Sequence, residues 1–95
     1  MLNKGEKNMK KEESLYEHHK CTGENNLFFA KKYKGNKDLS LQHYQLALNE
    51  FEMAFLIIRP IDYEKALMMN EKIEEILEII KEIEFVSSES DEPTR

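Results

Sequence analysis

The chain has 95 residues, 35% of them charged, with a net charge of −5, one cysteine, three glycines, two prolines and no tryptophan. That length suits one small domain, the acidic balance argues against general nucleic-acid binding, and the scarcity of turn residues favours helix over sheet. The lone Cys21 excludes an internal disulfide and fits a reducing compartment. No apolar run reaches the roughly 18–20 residues of a bilayer span, and the polar start MLNKGEKNMKKEESLYEHHK has no secretory h-region. The expected location is cytoplasmic.

Residues 1–25 hold five lysines and five glutamates interspersed, with few large apolar residues. This composition reads as a flexible polar N-terminal arm, with a turn of helix around Glu12–Lys20. Asn26 is a good N-cap for a first helix running through LFFAKKYK, with Phe28, Phe29 and Tyr33 as its buried residues. After the turn GNKDLS, Ser40 is placed to cap a second helix over about 41–59, with Leu39 as a hydrophobic staple. Pro60 stops that helix, and Asp62 caps a third over about 63–85 with Glu64 in its first turn. The third helix is acidic, with eight acids against Lys65, Lys72 and Lys81 between Asp62 and Glu84. The stretch 86–95, VSSESDEPTR, reads as a disordered acidic tail, and Ser87, Ser88 and Ser90 lie in a context that acid-directed kinases use. The folded domain is then 26–85.

On a helical wheel the second helix gathers Leu41, Tyr44, Ala47, Leu48, Phe51, Ala54, Phe55 and Ile58 in one broad stripe. Ala47 and Ala54 border it, so a neighbouring helix can approach closely. A narrower stripe holds Leu46, Met53 and Ile57. A helix apolar on two sides belongs in the middle of an assembly. The third helix has a seam of Ala66, Met69, Ile73, Ile76, Ile80 and Ile83, with Leu77 alongside and Met68 and Ile79 off it. Core packing explains that seam better than a coiled coil of about three heptads.

Chemistry-bearing motifs are sparse. His18, His19 and Cys21 lack the second half of a zinc site, and Cys21 has no framed oxyanion loop or base. His43 borders the core. The lysines 31, 32, 34 and 37 read as a solvated face. No nucleophile–base pair, phosphate loop or carboxylate dyad points to an enzyme, and no cofactor or metal is expected.

The string Tyr44-x-x-Ala47-Leu48-x-x-Phe51-x-x-Ala54, with Gly35-Asn36 ahead of it, resembles the helix pair of a tetratricopeptide repeat. It is also similar to the microtubule-interacting-and-trafficking (MIT) domain, whose third helix the run Lys72-Ile73-x-x-Ile76-Leu77-x-x-Ile80-x-x-Ile83 resembles. The resemblance spans about residues 28–84. It implies a non-catalytic adaptor that takes a helix or extended peptide into a groove. For an MIT-like domain the implied partners are short helical segments of membrane-remodelling filament proteins.

These readings converge on an all-α fold: a small three-helix bundle, a tetratricopeptide-like hairpin plus a third helix, with disordered tails. The expected function is protein–protein recognition in an apolar groove between the second and third helices. The expected contact set is Leu46, Met53, Ile57, Met68 and Ile79, with Glu71, Glu75 and Glu78 steering a basic partner. Charging Ile57 to aspartate is expected to weaken binding with helicity intact. The alternative is a self-associating structural protein, a homo-oligomer formed through helices 41–59 and 63–85.

Overall fold

The computed structural model describes the backbone of residues 3–91 and the side chains of residues 10–85. The described residues form three helices and no strand: α1 (Asn3–Lys32), α2 (Lys37–Ile58) and α3 (Tyr63–Asp91). Four-residue connections at 33–36 and 59–62 make consecutive helices antiparallel neighbours. The all-α class is as expected. The radius of gyration is 17.0 Å, against about 12 Å for a compact chain of this length. Among the described residues α2 packs against both α1 and α3, which do not pack along each other.

The largest departure from expectation is α1. Residues 3–25 are helical, and Tyr16 at 1% exposure is part of the core, so the folded domain begins well before Asn26. Tyr16, Gly23 and Ala30, one heptad apart, are all buried. Heptad spacing places them on one stripe of the helix, and two of the three are small, so α2 can come close. A Cβ built on Gly23 would lie 2.9 Å from Phe51 Cε1, and Phe51 itself is fully buried. Asn26 is therefore not a cap but a mid-helix residue, and Phe28 and Phe29 are exposed rather than buried.

The caps follow from local chemistry. Asn36, in extended geometry, accepts from Leu39 N–H at 3.1 Å and starts α2 four residues earlier than Ser40 would. Ser40 instead is buried, its hydroxyl donating to the Ala30 carbonyl at 2.7 Å. That bond satisfies a carbonyl near the end of α1 that has no helical partner. Pro60 lies in the turn after α2, and Asp62 caps α3, accepting from Lys65 N–H at 3.2 Å. Both agree with expectation. α3 runs on to Asp91, so residues 86–91 are helical rather than tail. The side chains of Ser87, Ser88 and Ser90, and residues 92–95 altogether, lie outside the described residues.

Along α2 and α3 the core is the expected one. Tyr44, Ala47, Phe51, Ala54 and Ile58 meet Ala66, Met69, Ile73, Ile76 and Ile80, with Leu41, Leu48, Phe55 and Ile83 half-buried beside them. Tyr16 closes the third corner. The Lys65 ammonium sits 5.6 Å from its ring centroid. Burial raises the Tyr16 phenol above the usual tyrosine range, and the carboxylates of Glu17, Asp62 and Glu24 add to the rise. Burial alone raises Tyr44.

Two predictions follow from this packing. Gly23→Ala gains roughly 1 kcal/mol of helix propensity but crowds the immobile Phe51 ring at a cost of about 1–3 kcal/mol. It should lower the denaturant midpoint, whereas Gly35→Ala, with nothing within 4 Å of its Cβ, should not; equal midpoints for the two variants contradict the close contact. A phenol whose folded pKa lies above its unfolded value holds its proton longer in the folded state. Stability is then unaffected below about pH 10 and falls as pH rises through the folded value. The Tyr16→Phe, Tyr44→Phe double variant should lose less stability than the parent between about pH 9 and pH 11, measured by urea unfolding; identical losses contradict the assignment.

Candidate functional site

The expected groove between α2 and α3 does not assemble. α1 contacts one flank of α2: Asn26 bonds His43, and His19 bonds Glu50. Leu46 and Met53 each lie three residues beyond those histidine and glutamate positions, on the same flank, at about 100° per residue. The opposite flank, Leu41, Leu48 and Phe55, faces α3. Leu46 and Met53 therefore border α1, while Met68 belongs to α3 and stands apart from them. All three are exposed. Ile57 and Ile79 are half-buried and pack against the core, so Ile57→Asp would damage the fold and is not the clean probe of binding expected above. Glu71, Glu75 and Glu78 are exposed on α3, where with Glu74 they line a shallow depression of carboxylates. They do not rim the Leu46–Met53 surface.

What the structure does bring together is a two-helix face. Leu15 and Phe29 of α1, two heptads apart, fall on the α1 flank that carries His19 and Asn26, and so lie beside Leu46 and Met53 of α2. These four are 42%, 37%, 45% and 47% exposed respectively. The face is also nearly free of charge. Between Ser14 and Ala30 the charged residues of α1 are Glu17, Lys20 and Glu24, all on the opposite flank by helical spacing. Leu39 to Asn49 contains no charged residue at all. The next acid, Glu50, is bound by His19, and Glu52 lies on the far side of α2. In a chain with 35% charged residues, this segregation is selective.

The polar groups along the seam between α1 and α2 are bonded within the chain. Glu50 Oε1 accepts from His19 Nδ1 at 2.6 Å, the carboxylate having no proton to give. The Asn26 amide donates to the Thr22 carbonyl at 3.0 Å, which turns its oxygen toward His43 Nδ1, 3.0 Å away. Thr22 Oγ1 donates to the His18 carbonyl at 2.9 Å. The His43 ring stacks on Tyr33 with centroids 5.7 Å apart and tilts against Phe29 at 5.6 Å. A partner covering the seam leaves these groups satisfied, so the desolvation cost falls mainly on the exposed Asn49 amide. Leu15 is not expected on such a face because residues 1–25 read as an arm, and Phe29 because it reads as a buried residue of the first helix. The heptad spacing of Leu15, Thr22 and Phe29 was the available signal.

Elsewhere, α3 offers a depression lined by Glu74, Leu77, Glu78, Ile80, Lys81 and Glu84. Among the described residues no group of three or more His, Cys, Asp or Glu side chains could hold a metal ion, and no helix is long and apolar enough to cross a membrane. Comparison with known proteins finds no matching family model, no matching curated protein and no matching solved structure.

The His19–Glu50 bond is partly solvated, with the two side chains 21% and 29% exposed. A double-mutant cycle with His19→Ala and Glu50→Ala should give a coupling of about 0.5–1 kcal/mol, read from urea midpoints. Strict additivity would show that this contact does not hold α1 on α2.

Proposed function

We propose that this chain is a non-catalytic protein-recognition module, and that the neutral face of α1 and α2 is its docking surface. The observation that carries the reading is the coincidence of four exposed large apolar side chains, Leu15, Phe29, Leu46 and Met53, with few charges around them, namely Lys11 and the His19-bound Glu50. Depletion of charged residues with retention of aromatic and methionine side chains marks interface centres. Met53 adds an adaptable, polarisable contact. The resemblance to tetratricopeptide and MIT helices supports the same class of work, docking of a helical segment onto a helical hairpin. The reading suits a cytoplasmic chain whose Cys21 thiol is exposed.

The test uses a photoreactive side chain placed at position 53 or at position 68 in the full chain, inside the native host. Met53 and Met68 have similar exposure, 47% and 53%. The reading predicts discrete protein adducts from position 53 and few from position 68. Equal labelling from both sites, or adducts from position 68 alone, would move the docking surface to α3 and defeat the proposal.

A further inference from the structure

We infer that the occupant of this face is a second copy of the same chain, paired end for end about a two-fold axis that crosses the face near Thr22 and Asn49. The inference rests on the recognition reading above and names its partner. Three observations support it.

The first is the placement of the apolar residues. Leu46 and Met53 stand either side of Asn49, and Leu15 and Phe29 stand equally either side of Thr22. The pairing of His19 with Glu50 and of Asn26 with His43 sets Thr22 on α1 level with Ala47 on α2, about 3 Å along the helix from Asn49. An axis there lays α2 antiparallel on its copy, with Leu46 opposite Met53 of the second copy. The same rotation sets Leu15 opposite Phe29 of the second copy. A self-complementary arrangement of this kind is what an isologous interface requires.

The second is charge. A charged face turned on itself sets like against like, which is unfavourable. This face has little charge to set against its copy: its one acid, Glu50, sits in the α1–α2 seam, held by His19. A neutral face also gives a basic or acidic stranger no electrostatic preference.

The third is area. The 22 residues of α2 extend about 33 Å at 1.5 Å per residue, and two packed helices are about 20 Å wide, so the face covers roughly 600–700 Å² per copy. That approaches the roughly 800 Å² per partner of a standard interface and suits a dimer that dissociates on dilution.

Sedimentation velocity of the full chain from about 1 to about 200 μM should show a reversible monomer–dimer equilibrium, and Met53→Asp should raise its dissociation constant at least about tenfold. Met68→Asp on α3 should leave that constant unchanged. As a variant that leaves the fold undisturbed, Asn49→Cys in a Cys21→Ser background should be joined into dimers by a short bismaleimide, and Met68→Cys in that background should not. A wild-type chain that stays monomeric throughout, or an equilibrium indifferent to Met53→Asp, overturns the inference. If the chain is monomeric but position 53 captures a different protein in the host, the second copy is wrong and the recognition reading stands. If it is monomeric and position 53 captures nothing, both fall.

Discussion

The close approach of Gly23 to Phe51 decides how this molecule is arranged. A ring 2.9 Å from where a Cβ would stand brings α1 onto α2 at a glycine. The Ser40 hydroxyl on the Ala30 carbonyl fixes the same register two turns away. Tyr16 continues the stripe to the start of α3, where Lys65 covers its ring. The large core residue Phe51 thus meets a glycine, and the alanines 30, 47, 54 and 66 are fully buried in the same core. Interiors this tightly packed are stiff, and the register is set by shape more than by bonding strength.

From that register comes the separation of surfaces. With α1 seated as it is, its lysine and glutamates at 17, 20 and 24 turn one way and Leu15, Thr22 and Phe29 turn the other. The latter side joins the uncharged stretch of α2. Polar residues do appear there, but His19, Asn26, Thr22, Glu50 and His43 spend their hydrogen bonds on one another or on backbone. The result is a seam whose polar groups are already satisfied, with the Asn49 amide the one that faces solvent at its centre. α3 behaves oppositely, turning Glu71, Glu74, Glu75 and Glu78 to solvent. Its outward side is charged where the α1–α2 side is largely apolar.

Much of α2 and α3 was legible in the sequence because period and punctuation agreed. Pro60 and Asp62 mark the turn with one stop and one cap, and the spacing of Ala66, Met69, Ile73, Ile76 and Ile80 is the spacing of the buried seam. α1 was harder for a physical reason. Its buried stripe is Tyr16, Gly23 and Ala30, two of which carry little or no apolar side chain, so hydropathy patterning is silent where packing is tightest. Interspersed lysine and glutamate then read as a solvated arm, although such residues also suit the exposed side of a helix. The same omission hides Leu15 and draws Leu46 and Met53 toward α3, while Phe29, read as buried, is exposed. Asn26 and Ser40 look like caps by residue type, yet each found a better partner in the neighbouring helix, His43 and the Ala30 carbonyl respectively. Only the tertiary contact reveals that preference.

The central claim is that the neutral face is a covered surface in the working protein, and the molecule carries its own internal control. Met53 and Met68 are about equally open in the lone chain, at 47% and 53%, while Met69 is fully buried. Brief oxidation of the chain in its native setting, followed by mass spectrometry of the methionine-containing peptides, reports all three in one sample. The account predicts that Met53 reacts several-fold more slowly than Met68, approaching the protection of Met69. Equal oxidation of Met53 and Met68 would mean that nothing rests on this face and would contradict it.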